Sequence, residues 1–298
     1  MRTCVLMSTY NGSKYIREQL DSILKQIGVG QIIIRDDGSS DDTIEILEKY
    51  KKAYSNCVTV IYGNNVGPAQ SFLCLLRECP DDYDLYAFAD QDDIWLEGKL
   101  NAAVTAFHGL EDNVPALYYC ASTELYSDGS YGKTSFCQDD RANSYKTVLN
   151  TFATTQGCTM VFNLKLLKEI RNMDIGIIDM HDSFIHAACL CIGGKIIRDE
   201  DSYILYRIHE GQVTGANSML LDKRIANFSN RKQTRKKTCM ALLTSKSIRS
   251  ECREYLKRLA YYDKNIKYRF SLLLAPCPAG MNNKEMSMFK LKIATGRY

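Results

Sequence analysis

The sequence predicts an α/β fold, a mostly parallel central sheet flanked by helices with a basic helical tail behind it. Three features of the 298 residues carry that expectation. Over the first 120 residues, short apolar runs alternate with longer segments of helical period. The apolar runs lead into loops rich in Asp, Asn and Gly, and the charge changes sign near Leu221. A content of 45% hydrophobic and 24% charged residues suits one large core or two unequal domains, and excludes a disordered or collagen-like chain.

Taken in order, residues 4–9 are a strand candidate. In residues 13–26 and just beyond, Ile16, Leu20, Ile23, Leu24 and Ile27 recur three or four apart as one helical face, which Gly28 and Gly30 end. Residues 31–35 read as the second strand and 36–41 as a loop, with Asp41 capping a helix that turns Ile44, Leu47 and Tyr50 inward. The pattern repeats as strand 58–62, loop 63–68 and helix 69–77. A fourth strand, 85–89, runs straight into Asp90-Gln91-Asp92-Asp93, and a helix is expected over 94–100. Further on, 116–122 and 157–162 read as strands, 164–171 and 181–191 as helices, 196–199 and 202–206 as strands, and 248–262 as the clearest helix of the tail.

Residues 1–221 hold 19 basic and 30 acidic side chains, a charge of −11, whereas the remainder holds 19 and 5, a charge of +14. The 12 cysteines are scattered, with no C-x-x-C, and read as reduced thiols in a cytoplasmic protein. The start is too short in apolar residues for a signal peptide, and the most apolar late stretch, 270–275, ends in Pro276-Cys277-Pro278, far short of the roughly 20 residues of a membrane span.

Chemistry concentrates where strands end, because in open α/β sheets ligands bind beyond the carboxyl ends of the strands. Asp90 and Asp92, two apart at such an end, can present oxygens to one hard divalent cation, Mn²⁺ or Mg²⁺. By itself that loop reads equally as a solvated acidic turn or a helix cap. Its company decides: three successive loops of this composition fall at one sheet edge.

The segments Ser8-Thr9-Tyr10-Asn11-Gly12, Arg35-Asp36-Asp37-Gly38-Ser39-Ser40-Asp41-Asp42-Thr43, Asn64-Asn65-Val66-Gly67 and Phe88-Ala89-Asp90-Gln91-Asp92-Asp93-Ile94-Trp95 together resemble family 2 glycosyltransferases, nearest the bacterial rhamnosyltransferase-like subgroup. The resemblance implies a GT-A fold over residues 1–221, with a nucleotide-sugar-binding half (1–115) and an acceptor half (116–221), ahead of a basic helical extension (222–298). It implies transfer of a single sugar, with inversion, from a UDP- or dTDP-sugar to a glycan acceptor, lipid-linked, in bacterial surface polysaccharide synthesis. Gln-x-x-Arg-Trp, the motif of processive synthases, is missing.

By the same resemblance Thr9 and Tyr10 line the base and ribose, with Asn11 and Asn65 on the donor side, and Asp37 accepts from the pyrimidine ring N–H. Asp92 is the direct metal ligand, with Asp90 on ribose or the metal shell. Tyr206-Arg207-Ile208-His209 matches the family's last motif, so His209 is a metal or phosphate contact and Arg207 a phosphate or structural partner. Met180-His181-Asp182 resembles the start of the helix that carries the catalytic carboxylate, which makes Asp182 the general base. A helix N-terminus favours the charged carboxylate, so basicity has to come from burial or a neighbour, and Asp182 reads equally as an N-cap on its own. Gly157 in Thr155-Gln156-Gly157-Cys158-Thr159 permits either close approach of a sugar or a tight turn, and Trp95 reads as the anchor of the helix after the metal loop.

Seven cations between Lys223 and Lys237 (Lys223, Arg224, Arg231, Lys232, Arg235, Lys236 and Lys237) suit either a solvated tail or peripheral contact with an anionic membrane face. The acidic body has no basic, aromatic-laced groove, which argues against nucleic acid. Two other readings stand beside the transferase: a non-catalytic nucleotide-sugar-binding subunit, and a nucleotidylyltransferase. The second is disfavoured by the lack of a Gly-rich, Lys/Arg-bearing triphosphate loop near the start.

Overall fold

The computed structural model describes residues 1–111, 113–136, 139–151, 155–176, 178, 180–209 and 234–298. Their contacts gather into two units, each assembled from separated segments: residues 1–136, 155–171 and 194–207 in the first, and 137–154, 172–193 and 208–298 in the second.

The first unit holds the whole sheet, in the spatial order 58–62, 29–36, 3–9, 85–89, 160–163, 116–125, 195–207 and 94–95, with 131–135 paired to 116–125. Strands β1 (Thr3–Thr9), β2 (Val29–Asp36), β3 (Val58–Tyr62) and β4 (Leu85–Ala89) are mutually parallel. They alternate with α1 (Ile16–Leu24), α2 (Thr43–Ala53) and α3 (Pro68–Glu78). Burial on both faces explains the unbroken apolar runs of β1 and β4, whose Cys4–Met7 and Leu85–Ala89 are almost fully enclosed. Because the chain lays β2 and β3 to one side of β1 and β4 to the other, the strand order reverses between β1 and β4, and a crevice opens there at the carboxyl edge.

Beyond β4 the sheet becomes mixed. Strand β5 (Ile94–Trp95) precedes α4 (Lys99–Phe107), β6 (Ala116–Leu125) and β7 (Tyr131–Ser135). A 3₁₀ turn (Gly157–Thr159) then leads to β8 (Met160–Asn163), α7 (Leu164–Arg171) and β9 (Lys195–Arg207). Strand β8 runs antiparallel to β4 and β6, β5 antiparallel to β9, and β6 parallel to β9. Behind the sheet, Phe88 packs on Phe72 at 5.1 Å and on Phe162 at 5.2 Å. Arg171 closes α7 by donating Nε to the Leu76 carbonyl at 2.7 Å, near the negative end of α3.

Several local expectations are corrected. Ile94 and Trp95 are strand rather than helix, because they pair with Leu205 and Ile204 and because Gly98, at φ +87°, lets the chain turn before α4 begins at Lys99. Trp95 therefore anchors a strand. Ile27 lies past the end of α1 and is 88% exposed, while Ile16, Leu20 and Ile23 form the buried face. In α2 the inward residues are Ile46 and Leu47 rather than Ile44, which is exposed. Asp41 bonds the Thr43 amide at 3.1 Å from one residue before the N-cap position, Asp42. The two strands expected at 196–206 are one strand, made continuous by register shifts against β6.

The second unit is helical among its described residues. It contains α5 (Asp139–Ala142), α6 (Tyr145–Thr151), α8 (His181–Cys191), α9 (Thr234–Thr244), α10 (Ser250–Tyr261), α11 (Ile266–Leu273) and α12 (Asn283–Ala294). Its polar joints are buried or half-buried. Arg141 makes a two-pronged ion pair with Glu285 at 3.0 and 2.8 Å, and Glu285 also closes a capping box with Asn282. Tyr255 donates to Asn150 Oδ1 at 2.8 Å, and buried Tyr298 donates to the Leu149 carbonyl at 2.7 Å. The cations expected to serve as a free basic stretch are partly built into this unit. Lys236 is buried and paired with Asp263, and Arg235 donates to the Asn150 carbonyl at 3.3 Å, which leaves Lys237 exposed. Lys223, Arg224, Arg231 and Lys232 lie outside the described residues. Among the described residues no helix is long and apolar enough to cross a membrane.

Burial sets the pH response of this unit. His181 is pushed down to about 3 and His186 to about 4 by desolvation, the bond of His186 Nε2 to the Ala142 carbonyl opposing part of the latter shift. Both rings fold neutral, so between the ordinary histidine value near 6.5 and these lowered values the unfolded chain binds more protons and stability falls as pH falls. Thermal unfolding followed by circular dichroism is expected to show a loss on the order of 1–2 kcal/mol per histidine between pH 7.5 and pH 5. His186→Gln should reduce the slope.

Candidate active site

The carboxyl edge of the parallel strands gathers four loops, and their own side chains hold them there. At the end of β2, Asp36 is almost fully buried and accepts from Thr9 Oγ1 at 2.9 Å, Gly38 N at 3.2 Å and Ser39 N at 2.9 Å. Asp37, also buried, pairs with Arg35 and takes the Val66 and Gly67 amides at 3.0 and 2.8 Å. One carboxylate thus binds the β1 loop and the other binds the β3–α3 loop. A Cβ at Gly63 would stand 2.3 Å from the Arg35 guanidinium, so a side chain there would have to displace it.

The reversal between β1 and β4 is stitched by Gln91, whose amide accepts from Tyr10 N at 2.9 Å and donates to Tyr10 O at 3.0 Å. Gly12 leaves room for that amide, because its Cβ would lie 2.1 Å from Gln91 Oε1. Asn11 takes the left-handed conformation at φ 49° and accepts the Ser40 amide at 2.8 Å, tying the first loop to the second. Tyr10 remains 46% exposed, and Asn65 is exposed, so both present side chains at the surface of the crevice.

At the end of β4, Asp90 and Asp92 are partly exposed and Asp93 is fully enclosed. Asp93 Oδ1 accepts the Arg207 amide at 3.2 Å, while its Oδ2 has no hydrogen-bond partner among the described residues. Burial, then the charges of Asp90 and Asp92, push the Asp93 carboxyl well above the usual range. Asp90, Asp93 and the buried Cys158 thiol bring ligand atoms within 4.8 Å of one another. Burial also raises the thiol and lowers Lys99, which lies enclosed with its Nζ 3.8 Å over the Trp95 ring. An orphaned carboxylate oxygen among three acidic side chains fits a hard divalent cation.

Arg207, at the end of β9, donates Nε to the Asp92 carbonyl at 2.8 Å and Nη2 to Glu18 at 2.6 Å, and stacks 4.6 Å over Tyr15. It braces the acidic loop. His209 follows two residues later and belongs to the second unit. In that unit Asp182 is the second residue of α8, whose N-cap position is Met180, so Asp182 sits in the first helical turn rather than capping it. Its Oδ1 accepts the Ser183 amide at 2.6 Å. Gly157 lies buried in the 3₁₀ turn before β8.

The first unit therefore joins Thr9, Tyr10, Asn11, Asp37, Asn65, Asp90, Asp92 and Arg207 at one edge. Sequence reading missed the parts played by Asp36, Gln91, Cys158 and Lys99, and left Asp93 aside. Gly12 was the one local signal for the Gln91 contact, because a glycine directly after Asn11 leaves room for a side chain from another loop.

A nucleotide-diphospho-sugar transferase architecture of the GT-A type is what this sheet and this edge define. The profile of the glycosyl transferase family 2 matches residues 4–171, and the chain belongs to that family and is a glycosyltransferase. It is 30% identical over 223 residues to the dTDP-rhamnosyl transferase RfbG of Shigella flexneri, covering 71% of this chain and 74% of that one. Among solved structures it is similar to S. aureus TarS 1–349 in complex with UDP-GlcNAc, at TM-score 0.59 and 16% identity over 98% of this chain and 79% of that one. It is also similar to the mannosyltransferase PcManGT from Pyrobaculum calidifontis in complex with GDP-Man and Mn²⁺, at TM-score 0.55 and 16% identity, covering 100% and 81% of the two chains.

Gly12→Ala is expected to push the Gln91 amide off Tyr10 at a cost of about 1–3 kcal/mol in urea unfolding. Adding Gln91→Ala should make the second substitution cheaper than it is alone, which a double-mutant cycle reads directly.

Proposed function

We propose that this chain is an inverting, metal-dependent glycosyltransferase that moves one hexose or deoxyhexose from a UDP- or dTDP-sugar to a glycan acceptor, lipid-linked, in bacterial surface polysaccharide synthesis. The observation that carries the reading is the set of four loops held at the β1/β4 reversal with an orphaned carboxylate oxygen beneath them. The likeness to a dTDP-rhamnosyl transferase supports the donor class, and the Mn²⁺ complex among the similar structures supports the metal. In this reading the catalytic domain spans residues 1–221, with the donor half to 115, and 222–298 is an extension.

Thr9, Tyr10, Asn11 and Asn65 bind base and ribose, and the acceptor capacity left on Asp37 meets the ring N–H that uracil and thymine share. Asp90, Asp92 and His209 would hold the divalent cation, Mn²⁺ or Mg²⁺, which when bound neutralises charge on the leaving diphosphate. Arg207 adds positive charge beside the diphosphate. Asp182 takes the proton of the acceptor hydroxyl as that oxygen bonds to the anomeric carbon. The bond to the diphosphate breaks on the opposite face, so the configuration inverts.

Calorimetric titration with UDP and with dTDP, each in Mn²⁺ and again in EDTA, tests the donor site. Binding that needs metal and disappears in Asp92→Ala supports it, and the stronger ligand ranks the base. Absence of binding by either nucleotide defeats the assignment. Asp182→Asn is expected to lower transfer by about 10³-fold or more with nucleotide binding retained, whereas unchanged turnover would remove Asp182 from the role.

A further inference from the structure

A second concave site, which the donor chemistry does not use, lies wholly within the helical unit. It is a cavity of about 550 Å³ lined by α6, α10, α11 and the Pro-rich segment 274–279 that follows α11. Two cations reach it. Lys146 is exposed, with its Nζ 5.7 Å from the centre of the Tyr255 ring. Arg258 is oriented by its Nη1 bond to Ser271 Oγ at 3.0 Å and its Nε bond to Glu254 at 3.4 Å.

The Pro-rich part of the lining has the opposite character. Pro276 and Pro278 carry no N–H to donate, and the Ala279 carbonyl is already taken by Thr147 Oγ1 at 2.6 Å. Leu274 lines the cavity and is 81% exposed. It continues a stripe along α11 in which Phe270 is 57% and Ile266 62% exposed, each four residues from the next and so on one helical face. Three large apolar side chains in a row, open to water and ending at a cavity with two cations, match a ligand that is anionic at one end and hydrocarbon along the rest.

We propose that this cavity binds the phosphate of an anionic membrane lipid through Lys146 and Arg258, with the hydrocarbon lying along Leu274, Phe270 and Ile266. The site is separate from the donor crevice and does not depend on the reading of that crevice.

Co-sedimentation of the full chain with phosphatidylglycerol and phosphatidylcholine vesicles, beside titration with inorganic phosphate, tests it. The expected result is binding to phosphatidylglycerol at least about tenfold stronger than to phosphatidylcholine. Lys146→Gln should weaken it about fivefold. Phe270→Ser with Leu274→Ser should weaken it about tenfold or more, with circular dichroism and nucleotide titration unchanged. Equal binding to both lipids, no vesicle binding, phosphate binding without vesicle binding, or full vesicle binding by these variants would each overturn the proposal. Because nucleotide titration is read on the same samples, failure at the donor crevice and failure here are told apart.

Discussion

Two consecutive carboxylates at the end of β2 organise the donor edge. Asp36 and Asp37 are both nearly inaccessible: Asp36 accepts from Thr9 and from the Ser39 amide of its own loop, and Asp37 accepts the Val66 and Gly67 amides of the β3–α3 loop. A buried charge is tolerated only when such donors are present, so the loops cannot drift without exposing an unsolvated carboxylate. That constraint fixes where Thr9, Asn11, Val66 and Gly67 stand relative to one another. Gln91 extends it across the strand reversal, and the crevice is thereby preorganised by the protein's own hydrogen bonds.

The acidic loop after β4 follows a different logic. Arg207 satisfies the Asp92 carbonyl and one Asp93 oxygen, and among the described residues the second Asp93 oxygen has no hydrogen-bond partner. Beneath it, Lys99 is enclosed and faces an aromatic ring instead of a carboxylate. Such unbalanced polarity is costly in a folded protein, and here it is concentrated in the few atoms that the proposed cation would meet.

Much of the first unit was legible because parallel strands are buried on both faces and so write themselves as uninterrupted apolar runs, as in β1 and β4. Helix α8 was legible to the residue, its bounds His181–Cys191 matching the expected ones. Residues 94–100 were not, since a short apolar run does not say whether its partner is the next turn or a strand more than 100 residues away. The site split the same way. Carboxylates next to strand ends announce themselves, but the meeting of Asp93 with Cys158, 65 residues on, depends on β8 lying against β4. The tail shows a third limit: composition counts Arg235 and Lys236 as surface charge, and only packing reveals that both are consumed inside the helical unit.

Helix α8 is held at one end. Its carbonyl end is gripped by Arg249, whose amide donates to the Cys191 carbonyl and whose Nη2 donates to the Leu190 carbonyl, both at 2.9 Å, while Asp182 rides at the other end. Eleven residues make a rod of about 16 Å, so a pivot of a few degrees at the gripped end swings the far carboxylate by on the order of 1 Å. Displacements of that size are enough to take a proton acceptor out of reach of a hydroxyl. If Asp182 is the proton acceptor of the proposed reaction, its reach is sensitive to how firmly Arg249 holds the opposite end of the helix.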